Sequence, residues 1–128
     1  KMSILNHVCV GSSDRIKSAK FYDAALGALG VNNLGELGEM ATLYGIDNPD
    51  FIILTPMDGN PATVGNGETI GFKAETRDAV HKFHEAGLAA GGTCEGAPGS
   101  RNFSPTAYAS YLRDPDGHKI CAYCFADE

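Results

Sequence analysis

The strongest constraint on this chain is that it repeats itself. Sliding the sequence by 62 positions, with no gap, sets Lys20 on Lys82, Phe21 on Phe83, Asp23 on Glu85, Ala24 on Ala86, Leu26 on Leu88 and Gly30 on Gly92. The same shift sets Val8 on Ile70 and Val10 on Phe72. Two amphipathic helices share apolar spacing by default, but not a common register of Lys, Phe, acid, Ala, Leu and Gly. A repeat of about sixty residues exceeds the unit of a solenoid. Each copy is therefore a supersecondary module, and 128 residues hold two of them in one compact domain.

The content of a module follows from periodicity. ILNHVCV, residues 4–10, alternates like a half-buried strand. Ser12, Ser13 and Asp14 then offer N-cap oxygens, and IKSAKFYDAALGALG over 16–30 has a helical rhythm that Gly27 and Gly30 stop. Segments 34–39, 40–46 and 50–56 read as three strands separated by Gly, Asn-Pro and Asp. DGNPATVGNG, residues 58–67, is a linker without period. The pattern then restarts. ETIGFKA is a strand, Thr76 an N-cap, and RDAVHKFHEAGLAAGG a helix ending in a glycine pair. Residues 93–95 read as a short strand and APGSRNFSPT as a loop. AYASYLRD and HKICAYCF form a hairpin around the turn DPDG, where Pro115 presets φ and Gly117 accepts a positive φ. The expected fold is α+β, with two βαβββ modules: module one over 2–57, module two over 68–126, in a single domain spanning 2–128.

Charge narrows the partners. The net charge is −6 and no basic stripe occurs, which argues against nucleic acid or an anionic membrane. No apolar run is long enough to span a bilayer, and no secretory h-region opens the chain. Lys1 reads as an addition ahead of Met2 as the native start. Four cysteines without a secretory leader suggest a reducing cytoplasm. Cys121 and Cys124 spell CxxC, but on a strand their sulfurs face opposite sides, which defeats a shared zinc or a redox disulfide.

HVCVGSSDRIKSAKFYDAALGALG, the restart at TIGFKA, the loop GAPGSR and LRDPDGHKI together resemble the vicinal oxygen chelate superfamily. That group holds glyoxalase I, bleomycin-resistance proteins and extradiol dioxygenases. The resemblance runs nearly end to end. It implies modules whose mixed sheet curls around an open cleft, and it implies a homodimer. It also implies one divalent metal (Zn, Ni, Fe or Mn) held by His and Glu on the first and last strands of the modules. Carried over by position, those ligands fall on His7, Thr69, Cys121 and, by matching FIIL to KICA, Ile53. Only His7 is a strong ligand there. Cys121 is chemically able to bind zinc, Thr69 is a poor neutral ligand and Ile53 cannot bind. A tight first-row metal site needs three or four His, Cys, Asp or Glu groups, so the expectation is a degenerate metal site without a resident cofactor.

Other residues remain as cleft candidates. Cys9 shares a face with His7, so His7, Cys9 and Cys121 are candidates for one cleft wall. The plain alternative is two buried apolar thiols. Cys121 is a nucleophile only with a base in reach, and His7 is the candidate. Arg101, in a Gly/Pro loop, is a candidate clamp for a carboxylate or phosphate. Tyr44, Tyr108, Tyr111 and Tyr123 are candidates for stacking and hydrogen bonding to a small ligand, with core packing as their alternative. His81 and His84 read as solvated helix residues, and His118 as a surface turn residue. Three functions follow. The first is a protein that binds a small molecule in its cleft without metal. The second is a metal-dependent lyase, similar to lactoylglutathione lyase, or a dioxygenase of the same superfamily. The third is a metal-independent enzyme using His7 or Cys121.

Overall fold

The computed structural model describes residues 3–128, so Lys1 and the proposed start at Met2 lie outside the described residues. The first module runs β1 (Val8–Gly11), α1 (Arg15–Gly27), β2 (Asn32–Leu37), β3 (Ala41–Gly45) and β4 (Phe51–Leu54). The second runs β5 (Ile70–Lys73), α2 (Arg77–Ala89), β6 (Thr93–Ser100), β7 (Tyr108–Arg113) and β8 (Lys119–Cys124). Each module makes a four-stranded mixed sheet, in the orders β1-β4-β3-β2 and β5-β8-β7-β6. In each, the first strand pairs in parallel with the last, and the other pairs are antiparallel. Neither sheet closes into a barrel. This is the α+β fold expected from the duplication.

Both helices start where the sequence offers a cap. Asp14 accepts from Lys17 N at 3.2 Å and Thr76 accepts from Ala79 N at 3.0 Å. The strands depart more from expectation. β1 begins only at Val8, leaving His7 just ahead of it. β6 extends through Ser100 and takes in GAPGS, where Gly and Pro predict a loop. Two register shifts, between Cys94 and Gly96 and between Gly96 and Gly99, make that possible. Pro98 falls in the unpaired stretch of an edge strand, where its missing N–H costs no ladder bond.

The helices lie between the sheets. Val10, Phe51 and Ile53 from one sheet and Leu112, Ile120 and Ala122 from the other point toward them, joined by Phe21, Tyr22, Val80 and Phe83. The two modules meet where Phe21 of α1 approaches the end of α2. A Cβ on Gly92 would stand 2.4 Å from the Phe21 ring and 3.0 Å from two carbonyl oxygens. The neighbouring Gly91, at φ 106°, takes the left-handed conformation that ends the helix.

The DPDG turn ties the modules together. Asp114 accepts from Asp116 N and His118 N, each at 2.9 Å, and from the Tyr22 hydroxyl of α1 at 2.5 Å. Asp116 accepts from Ser13 N and Ser18 Oγ, each at 2.9 Å. His118 is half-buried rather than a free turn residue: its Nε2–H donates to the Gly11 carbonyl at 2.7 Å.

Candidate functional site

Each sheet has one face against the helices and one open face. Strand alternation sorts the candidates between them. On β8, Ile120, Ala122 and Cys124 join the core, so Lys119, Cys121 and Tyr123 share the open face. On β7, Leu112 and Tyr108 pack on the helix side, so Tyr111 and Arg113 share the open face with them. In the first sheet, Val8 and Val10 point inward, leaving Cys9 on the open side with Ile52 and Leu54.

Two of the tyrosine candidates are therefore elsewhere. Tyr44 is fully buried in the core, its ring against Tyr22 and Phe51 and its hydroxyl donating to Asp23 at 2.8 Å. Tyr108 faces α2, under the Arg77 guanidinium at 4.8 Å and with its hydroxyl 2.6 Å from His81 Nε2. His84 is likewise not solvated: it is 8% exposed and packs between α2 and β6. The equivalence drawn through Ile53 also shifts by one. Cys9 pairs with Ile52 as Gly71 pairs with Cys121, so Ile52 is the counterpart of Cys121, and Ile53 points into the core.

The second sheet's open face has the denser chemistry. The hydroxyls of Tyr111 and Tyr123 are 2.6 Å apart, with the rings nearly perpendicular. Arg101 lies 5.5 Å and Lys119 Nζ 5.3 Å from the Tyr111 centroid, on cation–π geometry. Phe103 and Phe125 flank Tyr123, at 6.1 and 5.6 Å. Arg101 donates to the carbonyls of Ala97, Gly99 and Ser100, which folds the bulged β6 over Tyr111 and leaves the charge without a counterion. Arg113 is neutralised by Glu95 at 3.1 Å, whereas Lys73, Arg101 and Lys119 have no ion pair among the described residues. Lys119 was missed from sequence, although its signal was available: it stands two residues from Cys121 on the same strand.

Cys121 is buried beneath this cluster. Burial pushes its thiol up to about 11, against the opposing pull of Lys119, a hydrogen bond with Tyr111, and Arg101. Burial, then the bond with Tyr123, raises the Tyr111 hydroxyl. His7 is exposed, with Nδ1 2.6 Å from Asn6 Oδ1, and belongs to the first sheet's side of the molecule. Thr69 is exposed just before β5. The strands carrying Cys9 and Cys121 lie in separate sheets, so one chain does not assemble the wall expected of His7, Cys9 and Cys121.

Two βαβββ modules set back to back through their helices define a paired-module α+β protein with an open sheet face on each side. The profile of the Glyoxalase/Bleomycin resistance protein/Dioxygenase superfamily matches residues 4–122, and the chain belongs to that superfamily. A glyoxalase/bleomycin resistance protein from Albidiferax ferrireducens T118 is 47% identical, with a TM-score of 0.86 over 95% of this chain and 98% of its own. A glyoxalase-related enzyme from Fulvimarina pelagi shares the fold at 18% identity and TM-score 0.74, over 97% of this chain and 88% of its own. Lactoylglutathione lyase from Agrobacterium tumefaciens does so at 16% and 0.65, over 97% and 94%. No curated protein matches the sequence.

The superfamily is often metal-dependent, and the donors of a single chain do not fit a divalent ion. Among the described residues, no three His, Cys, Asp or Glu side chains come together to hold one. Thr69 is a weak neutral donor and Ile52 offers none. His7, at the start of the first sheet, and Cys121, in the second, belong to different sheets, so no two strong donors of that set converge.

Proposed function

We propose that this protein binds a small aromatic or apolar anion on the open face of its second sheet, and that a second copy of the chain supplies the opposing wall. One observation carries this reading: Lys73, Arg101 and Lys119 stand beside the Tyr111–Tyr123 pair and form no direct ion pair among the described residues, in a chain whose net charge is −6. Lys73 pairs across to Tyr123, and Lys119 shares only the Glu95 carboxylate that Arg113 already holds. Cations placed against the overall sign of a protein select an anionic ligand. The tyrosine faces and hydroxyls supply stacking area and orienting hydrogen bonds. Cys121 is then a wall residue. With its thiol at about 11, roughly one in 10⁴ sulfurs is ionised at neutral pH, which argues against a nucleophile. The open face of the first sheet, with Cys9, Ile52 and Leu54, is apolar enough to serve as the partner wall. Four free thiols suit a reducing compartment, and we assign the protein to the cytoplasm.

The test is thermal unfolding with aromatic carboxylates and their neutral amides at fixed ionic strength. A carboxylate at a hundred times its Kd is expected to stabilise the fold by about 2.7 kcal/mol. The amide is expected to do markedly less, and Lys119→Gln to remove the difference. Equal responses to the charged and neutral compounds, or no response to any, would sink the proposal.

A further inference from the structure

Cys94 and His84 form a pair away from both open faces. His84 lies on the sheet side of α2, and its Nε2 stands 3.2 Å from the Cys94 sulfur. That sulfur is the hydrogen-bond partner of the His84 side chain among the described residues. Cys94 itself is exposed. It sits on edge strand β6, at the start of the first bulge, where no further strand covers it. A ring that is 8% exposed is thus aimed at an accessible thiol.

We propose that Cys94 is a modification site at which His84 acts as base, and that it forms mixed disulfides with low-molecular-mass disulfides. The Cys94 sulfur attacks one sulfur of the disulfide while its proton passes to Nε2 of His84. A new S–S bond forms and the original one breaks. The leaving sulfur departs with the electron pair, is protonated from His84 and leaves as a thiol. Cys94 is oxidised, and the departing half is reduced. His84 suits this role because its Nε2 is held 3.2 Å from the sulfur; burial, and after it His81, hold the ring below its ordinary value. The ring is neutral at neutral pH and, with its proton on Nδ1, accepts at Nε2.

The modification has no internal thiol to reverse it. Cys94 pairs across to Leu112, which pairs across to Ile120, so Cys121 and Cys124 lie two strands away. Two strand spacings are about 10 Å, beyond the roughly 7 Å Cα separation that a disulfide spans. Cys9 is in the other sheet. The mixed disulfide persists until an external thiol removes it.

The comparison is made at Cys94 itself, with and without the imidazole, because Cys9, also exposed in the single chain, lies on the wall that the proposed second copy covers. The probe is 2-hydroxyethyl disulfide, which is uncharged, so that surface charge does not set the rate. Modification is followed by peptide mass mapping of the folded protein. Native Cys94 is expected to react about tenfold or more faster than Cys94 in the His84→Asn variant. His84→Asn is expected to slow Cys94 by that factor, with the Cys9 rate unchanged. Buried Cys121 and Cys124 report folding by staying unmodified; if His84→Asn exposes them, His84→Gln takes its place. Absence of a mixed disulfide at Cys94 in the native protein would overturn the proposal. So would a folded His84 variant that keeps the native rate.

Discussion

At the level of single residues, Asp114 and Glu36 respond to pH in opposite directions. Burial holds the Asp114 carboxyl above its ordinary value, against the hydrogen bond from Tyr22. Its stabilising share is therefore full below the unfolded carboxylate range and is lost as pH rises through the raised value. Thr42, and then Arg15, hydrogen-bond Glu36 and hold it below its ordinary value. Its share is present above the unfolded range and is lost as pH falls through the lowered value. In urea unfolding from about pH 3 to 7, Glu36→Gln is expected to lower the midpoint at neutral pH, with the deficit closing in acid. Asp114→Asn is expected to do the reverse with respect to pH, its relative cost being greatest in acid, where the protonated native carboxyl is most favourable. A pH-independent offset in both variants would contradict the assignment. These partners were not legible in the sequence. Tyr22 and Asp114 are far apart in the chain, and nothing local in either segment announces the bond.

At the level of elements, the α1–α2 junction depends on two glycines that the sequence marks only as a helix stop. Gly91 does stop the helix, through its positive φ. Gly92 has an ordinary backbone and is held instead by close approach to Phe21 and two carbonyls. Gly92→Ala is expected to destabilise the fold by about 2 kcal/mol through overpacking, seen as a lower urea midpoint with an unchanged slope. An unaltered midpoint would mean that Phe21 moves aside freely. The caps at Asp14 and Thr76 and the DPDG turn could be read directly, because each is a local contest among neighbouring backbone groups. β6 could not: its Gly and Pro signals read as loop, and only pairing with β7 holds them in a strand.

For the whole molecule, the helices meet at the centre and leave both sheets one uncovered side. Leu37 at 63%, Met40 at 46% and Ile46 at 62% exposure add apolar surface near the ends of β2 and β3. The proposed second copy is expected to cover such surface, and light scattering at micromolar concentration should return twice the 13.5 kDa chain mass. A monomer there would count against the partner wall, while the anion test on the second sheet would still decide ligand binding by itself. No helix among the described residues is long and apolar enough to cross a membrane.

The sequence by itself determined the duplication, the two helices with their caps, the turn between β7 and β8, and through these the α+β paired-module fold. Those features are carried by periodicity and by residues that act on their own neighbours. Tertiary structure alone decided which side of a sheet each candidate faces. Tyr111 and Tyr123 stand on the open face while Tyr44 and Tyr108 turn inward, and Ile52 rather than Ile53 answers to Cys121. The physical reason is that side chains alternate along a strand, so a one-residue change of register reverses every face. The same holds between elements. Only the packing of α2 on β6 brings His84 to Cys94, and only the division into two sheets separates His7 and Cys9 from Cys121.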